Sequence, residues 1–283
     1  MPLNRRRSTE KGNAGALWAF GDDLIVTSIV KRAYKKHNKL ICVGDGKDIK
    51  WEEVFDNNPK MSKVVYPGCV WVPNIMFNRP YIDNLKSTDE RFVYNAAFHV
   101  EPGELYLTDE EKRHTQTGFV YIEPNIKGTF AGNKDWGFGK WQAVVDACHG
   151  TRFIQGRGRK LNGVEQVDTH SFRDACALLS RADLFMGTDG GLHHAAAALG
   201  IPAVVVWGGL VSPKILGYDF HTNLHSGTGS CGSKKSCNHC RKALEWVTAE
   251  MVVEAIERRL SGAAGDFEAD RSSPTDYEQG AAA

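Results

Sequence analysis

The chain lacks an excess of charge of either sign. Among its 283 residues, 35 Lys and Arg stand against 34 Asp and Glu, which leaves a formal net charge of +1. Binding to a polyanion such as nucleic acid draws much of its free energy from basic residues that neutralise phosphates. The composition therefore predicts no stable nucleic-acid partner.

Long hydrophobic runs are missing as well. No apolar stretch approaches the ~20 residues that cross a bilayer, and the basic start Arg5-Arg6-Arg7 is followed by Ser-Thr-Glu-Lys instead of the apolar core of a signal peptide. The seven cysteines are odd in number and mostly scattered, which favours a reducing compartment over a disulfide framework. We therefore expect a cytoplasmic protein without a membrane span.

The remaining composition is that of a globular protein, with 42% hydrophobic and 24% charged residues, and the length fits two α/β domains. We expect a flexible basic arm at 1–13, a first domain at 14–115, a second at 116–260, and a disordered tail at 261–283. The charged stretch 108–117 is the expected linker. Expected strands lie at 15–20, 40–43, 64–66, 119–123 and 152–155, with helices at 49–55, around Trp141, after Ser171 and from Thr248.

The most informative stretch runs from Leu184 to Trp207. An apolar run ends at a turn of sequence Gly-Thr-Asp-Gly-Gly, and an alanine-rich segment then leads to a second apolar run that starts at Ala203. This pattern predicts strand, tight turn, helix and strand. The free N–H groups and the positive dipole end of the helix would face a turn lined by glycine, which suits a phosphate or diphosphate.

The same arrangement is expected near the start of the chain. Gly21-Asp22-Asp23 follows an apolar run and precedes residues that repeat at helical spacing. A carboxylate would thereby stand at the carboxyl end of a strand, where open α/β sheets bind their ligands. Asp22 is then a candidate general base, or a residue that only caps its helix.

The sequence of the turn that starts at Thr188, and of the segment after it, is specific. From Thr188 the chain reads Thr-Asp-Gly-Gly-Leu-His-His-Ala-Ala-Ala-Ala-Leu-Gly-Ile-Pro. This resembles the Asp-(Ser/Thr)-Gly-x-x-His-x-x-Ala-Ala-Leu-Gly-x-Pro signature of glycosyltransferase family 9, the ADP-heptose:lipopolysaccharide heptosyltransferase-like proteins. The resemblance covers residues 118–260 well and 15–60 loosely. It implies a GT-B fold, in which two Rossmann-like domains face a central cleft, with the acceptor on the first domain and the nucleotide-sugar on the second.

The resemblance also implies roles for single residues. Asp22 is the catalytic base, flanked on the acceptor side by Gly21 and Asp23. The donor diphosphate is held by Lys134 and by the turn residues Thr188, Asp189, Gly190, Gly191, Leu192 and His194. Lys134 competes with Lys127 and Lys140 for this role, and His194 would either donate to a phosphate or fix its own loop. The acidic residue that contacts the donor ribose in the family has no clear counterpart, because Glu165 lies in a shortened stretch.

A group of cysteines stands outside the family signature. Cys231, Cys237 and Cys240 include one Cys-x2-Cys half-site, with His239 inside it and two more histidines, His221 and His225, upstream. The spacing is compatible with a structural zinc ion, although the familiar four-ligand pattern is absent. Reduced thiols that only pack are the other interpretation.

These observations predict an inverting, metal-independent glycosyltransferase that uses a nucleotide-sugar as substrate and requires no cofactor. The acceptor is a glycan or another compound with a free hydroxyl. Two alternatives stay open: a transferase with an acceptor other than lipopolysaccharide, such as a capsule glycan, a protein or a modified DNA base, and a non-catalytic protein that binds a nucleotide-sugar.

Overall fold

The computed structural model describes residues 20–73, 79–126 and 132–262. The helices are α1 (Phe20–His37), α2 (Phe138–Ala147), α3 (Phe172–Leu179), α4 (Gly191–Leu199), α5 (Pro213–Leu216), α6 (Asn238–Trp246) and α7 (Ala249–Leu260). The strands are β1 (Ile41–Gly44), β2 (Val70–Pro73), β3 (Val120–Glu123), β4 (Phe153–Gln155), β5 (Glu165–Gln166), β6 (Leu184–Thr188), β7 (Ala203–Val206) and β8 (Thr222–Leu224). Short 3-10 turns lie at Glu53–Phe55, Glu111–Arg113 and Gly132–Lys134. Within these ranges, none of the helices combines the length and apolar character needed to span a bilayer.

The second half of the chain forms a six-stranded parallel sheet. Its order is β5-β4-β3-β6-β7-β8, and every pair in it is parallel. Alternate strand residues face opposite layers: Phe185 and Val205 join the core that includes α1, α3 and α4, while Met186 and Val204 join the core under α2 and α7. Helices therefore cover both faces, as an α/β pattern of buried parallel strands requires.

The strand order reverses between β3 and β6. The chain runs outward from β3 through β4 to β5, and then outward on the other side from β6 through β7 to β8. Open parallel sheets bind ligands at the carboxyl ends of the strands on either side of such a reversal. The turn that follows Thr188, the last residue of β6, lies at this point.

The first part of the chain is less regular than the sequence predicted. Strand β1 confirms the strand expected at 40–43, but its parallel partner is β2, and no strand forms at 64–66. Val64 and Val65 are 70% and 49% exposed, so this short apolar run is a surface loop. The helix expected at 49–55 shrinks to Glu53–Phe55, because Ile49 instead forms an antiparallel bridge with Gly44.

Helix α1 begins earlier than expected. The sequence predicts a strand that ends at Phe20, but Phe20 is the first residue of α1, so Gly21, Asp22 and Asp23 lie in its first turn instead of in a preceding loop. Residues 15–19 of that expected strand, the basic arm at 1–13 and the tail from 263 onward lie outside the described residues. Helix α4, the Ser171 N-cap of α3 and the Thr248 N-cap of α7 agree with the sequence prediction.

Arg173 on α3 connects the second half of the chain to the first. Its side chain is 6% exposed and meets the Glu111 carboxylate through two nitrogens, at 2.6 and 2.8 Å. The same guanidinium donates to the carbonyl oxygens of Glu53, at 2.9 Å, and Tyr106, at 2.7 Å. The hydrogen bonds from Arg173 hold the pKa of Glu111 down, at about 2.

We expect Arg173→Met to lower the free energy of unfolding by ~2–3 kcal/mol, because the change keeps the buried stem but removes the charged hydrogen bonds to the Glu111 carboxylate and to the Glu53 and Tyr106 carbonyl oxygens. Urea unfolding followed by circular dichroism measures this loss. The matched control is Arg32→Met: Arg32 pairs with Glu101 where both side chains are about half exposed, and we expect a change below ~1 kcal/mol. Equal losses in the two variants would contradict the connecting role of Arg173.

Candidate active site

The amino-terminal ends of α1 and α4 touch each other. A methyl group at position 21 would lie 2.7 Å from Cδ2 of His194 and 3.3 Å from Cα of Gly191, so the contact requires glycine at position 21. Beside it, the rings of Phe20 and Phe172 stack with centroids 4.6 Å apart. The two Gly-containing turns that the sequence placed in separate domains therefore meet at one point.

Gly190 and Gly191 have different surroundings. Gly190 precedes α4 with an extended backbone, and a side chain there would find open space, with its nearest neighbour, the Thr188 carbonyl oxygen, 3.8 Å away. A side chain at Gly191 would meet the Phe172 ring at 3.0 Å. Gly190 thus borders space that a ligand can fill, whereas Gly191 permits the packing of α4 against its neighbours.

Asp22 is a buried carboxylate with a partner on each oxygen. The Tyr81 hydroxyl donates to Oδ1, and Nε of Arg79 lies 3.2 Å from Oδ2. Burial raises the pKa of Asp22 above its usual value, while Arg79 and Tyr81 pull the pKa back down. The side chain keeps about 10% of its surface exposed, so a substrate hydroxyl has a route to it.

Asp23, the next residue, is in a different state. It is 3% exposed, and burial together with the negative charges of Glu52 and Asp22 raises the pKa of Asp23 to about 8. Asp23 is therefore mostly protonated at neutral pH, whereas Asp22 has a cation and a hydroxyl donor beside it.

Lys134 reaches the turn that follows β6. Its Nζ lies 2.5 Å from Oδ2 of Asp189, and the carboxylate side chain is only 4% exposed. Burial opposes ionisation of Asp189, but Lys134, His193 and His194 together outweigh it and hold the pKa of Asp189 far below its usual range. Of the two competing lysines, Lys140 donates to the Leu244 and Val247 carbonyl oxygens, and Lys127 lies outside the described residues.

The two histidines after the turn point into the protein. Nδ1 of His194 is 2.8 Å from the Tyr218 hydroxyl, and its Nε2 is 3.7 Å from Oδ1 of Asp189. His193 is fully buried, and its ring packs edge-on against Trp207. Burial, together with the neighbouring ring of His193, lowers the pKa of His194 to about 3, so its imidazole is neutral. These contacts hold the turn at Asp189 from its buried side.

The three clustered cysteines converge. The Cys231 sulfur lies 3.2 Å from that of Cys240 and 3.8 Å from that of Cys237. His239 is not part of this group of ligand atoms, because its ring lies against Gly209. The two upstream histidines are elsewhere too: His221 contacts the Ile201 carbonyl, and Nδ1 of His225 accepts from the Gly227 N–H.

The cysteine loop, residues 231–240, contacts both Asn133, next to Lys134, and the 88–94 segment. Asn133, the neighbour of Lys134, accepts from the Cys237 N–H at 3.0 Å and donates to the Ser233 and Lys235 carbonyl oxygens. On its other side, the loop receives a hydrogen bond from Phe92 N–H to Gly232 O at 2.8 Å. A methyl group at Gly232 would overlap the Phe92 carbonyl, so the loop and the 88–94 segment fit closely.

Part of the chain matches a known protein family. Residues 167–245 match the model of glycosyltransferase family 9 (heptosyltransferase), a range that includes β6, the Gly190 turn, α4 and the cysteine loop. The resemblance to glycosyltransferase family 9 is confirmed. Among curated protein sequences no match is found.

Two solved structures share the fold over most of the chain. One is the iron-containing dodecameric glycosyltransferase TibC from enterotoxigenic E. coli H10407, with TM-score 0.60, 16% identity, and coverage of 87% of this chain and 75% of TibC. The other is a family 9 glycosyltransferase from Veillonella parvula DSM 2008, with TM-score 0.58, 14% identity, and coverage of 87% and 95%. The chain has the α/β architecture of these GT-B proteins.

The resemblance to family 9 did not identify several residues of the site. Arg79 and Tyr81 lie in the irregular region 67–115, where no periodicity marks them. Glu123 ends β3 at the point where the strand order reverses, and burial raises its pKa to about 7. Glu165, the residue considered for the ribose contact, instead pairs with Arg152 at the sheet edge. The sequence signal that could have identified Glu123 is its position at the end of the first strand of a parallel sheet.

Proposed function

We propose that the protein is a glycosyltransferase that moves a sugar, of the heptose type, from a nucleotide-diphosphate-sugar to an acceptor hydroxyl with inversion. One observation carries this proposal. A buried carboxylate, Asp22, and an open glycine turn, Gly190, are brought together by the contact between α1 and α4. This arrangement supports the proposal, because a single displacement requires a base opposite the diphosphate of the donor.

The proposed reaction is a single displacement at the anomeric carbon. The acceptor oxygen attacks the anomeric carbon while the bond from that carbon to the diphosphate oxygen breaks. Asp22 takes the acceptor proton, and the bond pair leaves with the nucleoside diphosphate. The free N–H groups at the start of α4 and the Lys134 ammonium meet the developing negative charge. Attack from the side opposite the leaving group inverts the anomeric centre, and this assignment of charge needs no metal ion.

The donor half of the proposal is tested by ligand-induced stabilisation. We expect nucleoside diphosphates and nucleotide-sugars, ADP-heptose among them, to raise the melting temperature, because a ligand at 100 times its dissociation constant adds about 2.7 kcal/mol. The matching nucleoside monophosphate should stabilise less, since it places one phosphate fewer at the Gly190 turn. No stabilisation by any diphosphate would overturn the proposal.

Turnover separates the two alternatives that the sequence left open. The nucleoside diphosphate released from a nucleotide-sugar, with water or an added hydroxyl compound as acceptor, is measured by a coupled assay. Release that depends on Asp22 supports a transferase, and the acceptor panel of lipopolysaccharide core, capsule glycan, protein and hydroxylated DNA base identifies its class. Binding without release under every condition would favour a non-catalytic nucleotide-sugar-binding protein.

We also propose that Cys231, Cys237 and Cys240 hold a structural metal ion. Sulfurs bound tetrahedrally to a metal at about 2.3 Å lie ~3.8 Å apart, and the observed distances are 3.2 and 3.8 Å. Three thiolates suit zinc or iron, and TibC is described as iron-containing. The ion would fix the loop that joins Asn133 to the 88–94 segment, so its role would be to order the site.

We expect the purified protein to contain about one zinc or iron per chain by elemental analysis, and chelation to lower its melting temperature. Cys237→Ser removes one ligand and should lower both metal content and stability. Cys69→Ser is the control, because Cys69 is partly exposed and outside the cluster. Metal-free protein whose stability is unchanged by chelator would leave the packing interpretation of the thiols in place.

A further inference from the structure

The segment from Arg79 to Ile82 presents two side chains to Asp22. Tyr81 is 6% exposed and donates its hydroxyl to Oδ1, while Arg79 faces Oδ2. Neither residue belongs to the glycine turns, and both lie in the irregular region 67–115. A carboxylate that is contacted on both oxygens by one short segment is held in both position and orientation.

The segment itself is rigidly supported. Ile82 and Tyr94 form an antiparallel bridge, the Asn95 N–H donates to the Tyr81 carbonyl at 2.9 Å, and the Arg79 guanidinium lies over the Phe92 ring at 5.7 Å. A buried side chain with such neighbours keeps one rotamer. The donor atoms that meet Asp22 are therefore preorganised before any substrate binds.

This arrangement leaves Asp22 able to act as a base. An ionised carboxylate has about four lone-pair sites, and one site on each oxygen is taken by Tyr81 or Arg79. The remaining sites can accept a proton from an acceptor hydroxyl. Without a cation and a donor, a carboxylate this buried would tend to stay protonated and could not take a proton.

We propose that Arg79 and Tyr81 are the positioning residues of the transfer step, which hold the Asp22 carboxylate by both oxygens and aim its free lone pairs at the acceptor hydroxyl. The inference rests on the proposed function, because it needs Asp22 to be the base. Through these contacts Arg79 and Tyr81 influence the pH at which the enzyme works, although neither residue takes the proton.

Other charged groups near Asp22 also shift its pKa. Lys134 lowers and Asp189 raises the pKa of Asp22, both less than burial, Arg79 and Tyr81 do. Asp23 adjoins it and is mostly protonated at neutral pH. Removing the Tyr81 hydroxyl should therefore raise the pKa of Asp22, and activity, which needs the ionised form, should be lost at a higher pH than in the wild type.

The decisive variant is Tyr81→Phe, with Arg79→Lys as a second. We expect the acid limb of kcat/KM for nucleotide-sugar turnover to move up by about one pH unit in Tyr81→Phe, which is a tenfold loss on that limb. The rate should recover at alkaline pH, and the KM for the donor should stay unchanged. The matched control is Tyr106→Phe, which removes a hydroxyl that accepts from Lys60 and should leave the pH profile where it is.

A second readout does not depend on turnover. In protein labelled with 13C at the aspartate carboxyl carbon, the Asp22 resonance, assigned by its loss in Asp22→Asn, should titrate at higher pH in Tyr81→Phe and in Arg79→Lys. An unmoved titration with a uniform loss of rate at every pH would overturn the positioning role. If the Asp22 titration shifts but Asp22→Asn leaves turnover unchanged, the catalytic assignment of Asp22 would be overturned, while the positioning geometry would stay intact.

Discussion

Asp22→Asn is expected to lower the turnover rate by ~10²–10⁴-fold, the usual contribution of a general base. Asn keeps the size of the side chain and can still accept the Tyr81 hydrogen bond, but it cannot take a proton from the acceptor. The donor is proposed to lie at the Gly190 turn, so the KM for the nucleotide-sugar should barely change. Release of nucleoside diphosphate, measured with water and with an acceptor, gives both constants.

The neighbouring carboxylate provides the matched control. Asp23 is already mostly protonated at neutral pH, because burial, Glu52 and Asp22 raise its pKa to about 8, and a neutral amide resembles a neutral carboxylic acid. Asp23→Asn should therefore change turnover by less than about threefold. A strong loss in Asp23→Asn with near-normal turnover in Asp22→Asn would move the base by one residue, and normal turnover in both would refute the catalytic role of this helix start.

Gly190→Val should weaken nucleoside diphosphate binding by about 100-fold or more, which corresponds to about 2.8 kcal/mol. The backbone at Gly190 is extended, so valine adopts it without strain, and the nearest atom to the new Cβ is 3.8 Å away. The protein should fold normally, while the branched side chain fills the space proposed for the diphosphate. Isothermal titration with the diphosphate, alongside a thermal melt without ligand, separates these effects.

Two other glycines make the test specific. Gly229 is exposed, and a Cβ at this position would meet none of the described residues within 4 Å, so Gly229→Val should change neither stability nor affinity. Gly191→Val should instead destabilise the fold, because its side chain would press on the Phe172 ring at 3.0 Å. Full affinity in Gly190→Val would show that the diphosphate does not occupy this turn.

Local signals in the sequence were enough for the regular half of the chain. Buried parallel strands appear as short apolar runs, and Thr248 and Ser171 mark helix starts because their side chains satisfy free N–H groups. The turn between β6 and α4 was predicted because glycine and an N-terminal helix dipole act over a few residues. The family resemblance placed Asp22 and Lys134 among the candidates from the same kind of local pattern.

The first half of the chain shows the limit of such signals. The run at 64–66 and the strand at 70–73 are both short and apolar, and only packing against β1 makes the second of them a strand. Phe20, in the first turn of α1, likewise packs on a partner distant in sequence, since its ring stacks on Phe172. Propensity is a weak predictor where tertiary contacts decide between loop and strand.

The sequence by itself determined the parallel α/β class, the glycine turn after β6 and the candidate ligand-binding residues of that turn, because each follows from side chains within a few positions of one another. Only the tertiary structure decided which side chains face Asp22, that the pKa of Asp23 is raised, and that the cysteines converge without His239. Those properties depend on burial and on charges that come together from distant parts of the chain. A pKa value responds to these surroundings, and no local sequence pattern encodes them.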